Sequence, residues 1–136
     1  MIKVVTDSVA SLPKELIEEE NIEVVSLFLN EDGHEHVDAT MDLDDFYTRI
    51  YDMADNPPTS SQPSQSTLEE LFESFAKAGH EVLGIWISTG LSGAFDGVLR
   101  AARSVESRNI NFKYCMIDSS SCGFDEAFPV LEGARA

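Results

Sequence analysis

The chain has 136 residues, of which 43% are hydrophobic, which is typical of one globular domain and excludes a disordered chain. Its formal net charge of −16 arises from 25 acidic against 9 basic residues, and a field of that sign argues against binding to nucleic acid or anionic membranes. No apolar stretch reaches the ~18 residues needed to cross a bilayer and no secretory leader opens the chain, so we expect a cytoplasmic protein without stable membrane insertion.

Four short apolar runs, rich in Val and Ile, are predicted to form strands. They cover residues 2–5, 22–29, 82–87 and 112–117. Most are continuous rather than alternating in hydrophobicity, as expected for a sheet that is buried on both faces. Such sheets are usually parallel.

Helical patterns separate the predicted strands. Pro13 suits a first helical turn, a shorter helix is expected over residues 43–53, and Ser66 with Glu69 is predicted to form a capping box. Two longer apolar faces follow helical spacing: Leu68, Leu71, Phe72 and Phe75, then Val98, Leu99, Ala102 and Val105. The alternation of strands and helices predicts a three-layer α/β/α fold with a mainly parallel sheet.

Two segments interrupt this alternation. Residues 55–66 contain Asn-Pro-Pro-Thr-Ser-Ser-Gln-Pro-Ser, which excludes a helix or a central strand. Residues 124–136 are predicted to form a helix that stops without a cap. We therefore expect that the chain, as one domain over residues 1–136, is part of a longer protein.

The Cys and His residues do not form a recognisable site. Cys115 and Cys122 are too few for a disulfide framework, and Cys115 is predicted to be a small core residue because it lies in an apolar run. His34 and His36 bracket Glu35, but no third ligand has a suitable spacing, so no metal site is expected.

Hydroxyl groups and glycines follow several predicted strands at their carboxyl ends, where ligands of open α/β sheets collect. The sets are Thr6, Asp7 and Ser8; residues 88–93 (Ser-Thr-Gly-Leu-Ser-Gly); Asp118, Ser119, Ser120 and Ser121; and, in the Pro-Ser loop, Thr59, Ser60 and Ser61. Each set is compatible with turn and cap chemistry. Together at one edge they are also suited to binding a carboxylate or phosphate, because hydroxyls and helix-start amides donate hydrogen bonds to anions.

Four of these segments resemble the DegV family in order and spacing. They are residues 6–13 (TDSVASLP), 58–64 (PTSSQPS), 88–95 (STGLSGAF) and 117–119 (IDS). The resemblance runs over essentially the whole chain but covers only about the first half of a family member. It implies an α/β domain that is one of two domains in such a protein. The second domain, which supplies part of the tunnel for an acyl tail, is absent here.

The resemblance also implies a function, namely a non-enzymatic carrier that binds a long-chain fatty acid and uses no cofactor. In the family, the carboxylate of the fatty acid is held by the residue before Ser-Gln-Pro-Ser and by the serine of Leu-Ser-Gly. In this chain these positions correspond to Ser60 and Ser92. The first position is usually Thr in the family, and Ser keeps the donor but loses the methyl group that restricts its rotamer. Several members present the acyl group to a separate ATP-dependent kinase subunit of a bacterial fatty acid kinase in phospholipid metabolism.

Neighbouring residues are expected to assist at this site. The Gly93 amide and Ser61 are placed with the two serines in contact with the carboxylate, while Asp7, Ser8, Thr59, Asp118 and Ser119 are expected to support it. Asp7 cannot bind an anion while charged, so we expect it to orient Ser8 or nearby loop amides. A homodimer through the exposed domain interface is also possible.

Three other functions are compatible with parts of the sequence. Ser92 lies in Gly-Leu-Ser-Gly-Ala after a strand and before a helix, as the nucleophile of a serine hydrolase does. All three histidines precede it, whereas α/β-hydrolases place the base after the nucleophile. Phosphoryl transfer of the dihydroxyacetone-kinase or mannose-transport type requires an active-site histidine, and His80 lies before the third strand, at the wrong edge. A purely structural role is the third alternative.

Overall fold

The computed structural model describes residues 1–136 as seven strands, five α-helices and two short 3-10 helices, Ser8–Ala10 and Asp38–Thr40. The strands are β1 (Ile2–Asp7), β2 (Glu23–Val25), β3 (Phe28–Glu31), β4 (His34–Val37), β5 (Thr59–Ser61), β6 (Glu81–Trp86) and β7 (Tyr114–Asp118). The helices are α1 (Lys14–Glu19), α2 (Leu43–Thr48), α3 (Gln65–Lys77), α4 (Ala94–Arg108) and α5 (Phe124–Arg135).

The centre of the fold is a four-stranded parallel sheet in the order β2-β1-β6-β7. On one face, α3 and α4 enclose the larger apolar core, which contains Phe72, Trp86 and Val98. On the other face, α5 packs over β1 and β6 and buries Val130 against Val4 and Ile85. These layers confirm the predicted α/β/α fold.

A second sheet, which is antiparallel and has the order β4-β3-β5, was not predicted. The prediction of a single strand over residues 22–29 was therefore wrong, because this run is divided between β2 and β3. The run divides after Val25, and Ser26 accepts a hydrogen bond from the Ala39 amide at the branch. Asp32 and Gly33, both at positive φ, form the turn between β3 and β4. An Asp-Gly pair is a strong hairpin signal, because both residues tolerate this conformation.

The core of the Pro-rich segment, residues 56–64, contains no helix and no central strand, as predicted, but three of its residues form the edge strand β5, and helix α3 begins directly after it at Gln65. The prediction that Ser66 caps the following helix was wrong by two residues. Ser64 is the N-cap of α3, and its Oγ accepts a hydrogen bond from the Thr67 amide at 3.1 Å.

The prediction that Cys115 lies in the core was wrong. Its strand β7 is at the edge of the parallel sheet, and α5 covers only β1 and β6 on that face. Alternate residues of β7 are therefore exposed, including Cys115 and Ile117. Cys122 is exposed as well. None of the five helices is both long and apolar enough to cross a bilayer.

Candidate functional site

Asp7 connects the carboxyl ends of β1 and β6. Its side chain is 1% exposed, and its two oxygens accept hydrogen bonds from different loop amides, Oδ1 from Val9 at 3.0 Å and Oδ2 from Ile87 at 2.8 Å. Burial raises the pKa of this carboxyl, whereas the bonds from the Ile87 and Val9 amides oppose that change. Asp7 therefore orients loop amides, as expected, and has no free oxygen for a ligand.

Ser8 and Asp118 make similar connections to neighbouring segments. Ser8 Oγ accepts a hydrogen bond from the Leu27 amide at 2.9 Å and so fixes the point where the chain leaves the parallel sheet. Asp118 accepts one from the Thr89 hydroxyl at 2.7 Å and another from the Ser120 amide at 2.8 Å. These bonds lower the pKa of Asp118, with Thr89 the largest cause. Ser119 stays within its own turn, since its Oγ bonds only to Ser121.

The loop after β6 places Ser92 and Gly93 at the start of α4. Ser92 is partly buried, and its Oγ accepts a hydrogen bond from the Ala94 amide at 3.1 Å, so the hydroxyl proton is left free to donate. The Gly93 carbonyl accepts from Gly97, but its N–H has no acceptor within the chain. Two hydrogen-bond donors are therefore available at the N-terminus of a 15-residue helix, where the helix dipole favours anions.

Strand β5 carries the other predicted hydroxyls. Thr59 and Ser60 are exposed, while Ser61 is partly buried and accepts a hydrogen bond from the Asn30 side chain at 3.3 Å. Pairing with β3 holds the strand in position, and Ser60 lies opposite Leu29 in the register. The hydroxyls of Thr59 and Ser60 make no hydrogen bond to the rest of the chain.

Gln62 brings the Pro-Ser segment against the start of α4. A Cβ at Gly93 would stand 3.0 Å from Gln62 Nε2, and one at Gly97 would stand 3.5 Å from its Oε1. The amide group therefore lies across both glycines, and the absence of a side chain at Gly93 permits this approach. Two segments separated by about thirty residues of sequence thus meet at this contact.

Packing beneath this contact is tight. The cavity between Gln62, Pro63 and Trp86 is about 10 Å³, roughly the lower limit for one water molecule. A larger cavity of about 280 Å³ lies beside Ser8 and is lined mainly by apolar residues, among them Leu12, Ile17 and Leu43. Any ligand carboxylate at Ser92 must therefore approach from the exposed side of the sheet edge.

The serine hydrolase has no support in this geometry. His80 precedes β6 and Ser92 follows it, so the length of a six-residue strand, ~20 Å, separates the two ends. His34 and His36 are exposed on β4, two strands away from β5 in the small sheet. No group of three His, Cys, Asp or Glu side chains is arranged to bind a metal ion.

Glu126 is a buried ionisable residue that the sequence reasoning missed. It lies on α5, is 0% exposed, and its Oε1 accepts a hydrogen bond from the Thr6 hydroxyl at 3.4 Å. Burial, followed by the neighbouring charge of Asp7, raises its pKa to about 8. The helical pattern contained a signal, because Glu126 falls on the face marked by Ala127 and Val130, where an apolar residue is expected.

Comparison with other proteins gives a consistent result. A profile described as "uncharacterised protein, DegV family" matches residues 1–136. A DegV domain-containing protein of Clostridium perfringens is 34% identical over 135 residues, which are 99% of this chain and 47% of the relative. A second, from Listeria monocytogenes, is 37% identical over 111 residues, 80% of this chain and 39% of the relative. The chain spans about half the length of such relatives.

Solved structures share the fold. A stearic acid-binding protein of Eubacterium ventriosum has a TM-score of 0.88 at 29% identity, over 99% of this chain and 47% of that one. The fatty-acid-binding protein DegV of Bacillus subtilis has a TM-score of 0.82 at 30% identity, over 98% of this chain and 46% of that one.

Proposed function

The chain belongs to the DegV family, and on this premise we propose that Ser60, Ser92 and Gly93 hold the carboxylate of a long-chain fatty acid. Solved relatives that share the fold are fatty-acid-binding proteins. The observation that carries the proposal is the Gln62 amide lying across Gly93, because it joins the β5 hydroxyls to the helix start.

A carboxylate at this position would accept hydrogen bonds from the two hydroxyls and from the Gly93 N–H. Three such donors favour the ionised acid, so no Lys or Arg is required. Ser61 and Thr59 complete the β5 side of the site. Asp7, Ser8, Asp118 and Ser119 support it by fixing the loops rather than by binding the ligand, since their oxygens are already engaged within the chain.

The bound acid would be presented to a separate ATP-dependent kinase subunit. Its exposed carboxylate oxygen would attack the γ-phosphorus of ATP, with ADP as the leaving group and an acyl phosphate as the product. The carrier then contributes position rather than chemistry, because it would hold the carboxylate at the exposed edge of the sheet.

The test is native mass spectrometry of the protein that carries this chain, followed by denaturing extraction of bound lipid. We expect a fatty acid in the wild type, and Ser92→Ala should weaken its binding by ~1–2 kcal/mol, the cost of an unpaired carboxylate oxygen. The matched control is Ser107→Ala near the other end of α4, where the hydroxyl bonds only to the Ser104 carbonyl.

The variants must be compared at equal folded fraction, because Ser92 also caps the Ala94 amide. Equal fatty acid affinity in Ser92→Ala and Ser107→Ala would refute the role of Ser92. For the kinase step, loaded protein incubated with ATP and a fatty acid kinase subunit should form an acyl phosphate that hydroxylamine traps. No trapped product from a loaded carrier would refute presentation while leaving binding intact.

A further inference from the structure

Glu126 and Asp7 form a buried carboxyl pair at the junction of β1, β6 and α5. Both side chains are almost fully buried, at 0% and 1% exposure. Both oxygens of Asp7 accept backbone hydrogen bonds, which favour its ionised form. By contrast, Glu126 Oε2 is buried and has no partner among the groups that can donate to it.

An ionised Glu126 would place a second anion beside Asp7 in a site without a compensating cation, at high desolvation cost. A neutral Glu126 resolves both problems, because its carboxylic proton can be donated to the Asp7 carboxylate. The raised pKa of about 8, caused first by burial and then by Asp7, agrees with this arrangement.

The surroundings offer no other charge to this pair. Asp7 is the charged group that raises the pKa of Glu126, and the 3-10 turn Ser8–Ala10, which packs against α5, contains no ionisable side chain. The other charged residues of these elements lie elsewhere. Lys3 and Glu81 are near the opposite ends of their strands, and Asp125 and Glu132 occupy exposed positions of α5. Arg135 pairs with Glu20.

A short path connects the pair to the proposed carboxylate site. Asp7 Oδ2 holds the Ile87 amide, and the next residue, Ser88, accepts a hydrogen bond from the Ser92 amide at 3.1 Å through its carbonyl. The position of Ser92 is therefore linked to the Asp7 carboxylate, beside which Glu126 is buried. Fixed positions of this kind distinguish a preorganised site from a loose one.

We propose that Glu126 is a positioning residue that acts as a neutral acid, holding Asp7 and through it the loop that carries Ser92. Loss of its proton would leave two anions facing each other, and the contact between α5 and the β1–β6 edge would loosen. Pro129 within α5 already removes one helical hydrogen bond, so the helix depends strongly on its contacts with the sheet. The link to the ligand rests on the proposed function, whereas the neutral acid and its effect on the loop do not.

The first test needs no lipid. Amide hydrogen exchange of residues 87–92 is compared between wild type and Glu126→Gln at each pH from 6 to 9, because Gln keeps an N–H donor and cannot ionise. Relative to the variant, exchange in the wild type should become faster as pH rises from 6 to 8, by up to about tenfold per pH unit, and the ratio should level off above pH 8 because Glu126 is then already ionised. Identical exchange in both proteins at pH 9 would overturn the proposal.

Thr6→Val provides a second variant with nearly unchanged shape. The Thr6 hydroxyl favours the ionised form of Glu126 through its hydrogen bond. Its removal should shift the onset of fast exchange to higher pH. A shift to lower pH, or no shift, would contradict the proposal even if Glu126→Gln does not fold.

The second test adds fatty acid. Affinity in the wild type should fall between pH 7 and 9, and Glu126→Gln should retain it. If the loop responds to pH while affinity does not, the connection to Ser92 is wrong. If no fatty acid binds at any pH, the proposed function fails, and the exchange experiment still decides the role of Glu126.

Discussion

At the scale of single residues, the candidate site depends on side chains with two tasks. The Ser92 hydroxyl accepts a hydrogen bond from an amide of α4 and leaves its own proton free to donate, and Gln62 fills the space above Gly93. Asp7, in contrast, accepts a backbone hydrogen bond on each of its two oxygens. The functional difference between these residues therefore lies in which donors remain free.

Ser60 gives a prediction at this scale. Ser60→Thr should increase fatty acid affinity modestly, because a β-branched side chain in strand β5 has fewer rotamers to lose on binding. The expected gain is at most ~1 kcal/mol, the range of such effects in strands. Titration calorimetry would measure it, with Thr59→Ser as the converse control. A tenfold loss of affinity in Ser60→Thr would contradict the prediction, because it would show that the added methyl group obstructs the ligand, and an unchanged affinity would indicate that the ligand does not contact this residue.

At the scale of elements, the short strand β5 and the helix α3 are joined by a cap that also orients the Pro-Ser segment. Ser64 ends the Ser-Gln-Pro-Ser motif and is the N-cap of α3. The short segment from Gln62 to Ser64 therefore fixes the position of Gln62 relative to the start of α3. An element that is only three residues long can hold a site because its neighbours determine where it lies.

Capping of α3 is testable by a pair of variants. Ser64→Ala should lower the free energy of unfolding by ~1 kcal/mol, because the Thr67 amide loses its acceptor. Ser66→Ala, two residues further on and exposed, should change it by less than ~0.5 kcal/mol. Urea denaturation followed by the fluorescence of Trp86 would measure both. A larger effect for Ser66→Ala would contradict the assignment of Ser64 as the cap of α3.

At the scale of the whole molecule, the charge of −16 opposes binding of an anionic ligand at long range. The proposed site compensates at short range with hydroxyl and amide donors. Long-range repulsion is screened by salt, since the Debye length falls from ~30 Å at ~0.01 M to ~8 Å at ~0.15 M. Hydrogen bonds at contact distance are much less affected.

Salt dependence follows from this balance. The affinity for decanoate, measured by calorimetry, should increase when KCl is raised over this range, relative to the affinity for the uncharged decanol. The alcohol controls for the effect of salt on apolar burial. A relative affinity that falls with salt would indicate a cationic contact to the carboxylate and contradict the proposed site.

The sequence alone determined the main architecture, because period and composition are local properties. Continuous apolar runs indicated the buried parallel strands β1 and β6, and helical spacing indicated α3 and α4. The division of residues 22–29 between two sheets was missed, although the Asp32-Gly33 pair is a local signal for the hairpin that causes it. The motifs also indicated the DegV family, which the comparisons confirm.

Only the tertiary structure decided what each polar residue contacts. Cys115 is exposed because no helix covers β7 on that face, and coverage by a distant helix leaves no mark on the strand itself. Gln62 meets Gly93, and Glu126 meets Asp7 across nearly the whole length of the chain. Periodicity shows which face of an element is buried, but hydrogen bonds and charges act between elements, so their partners depend on the packed fold.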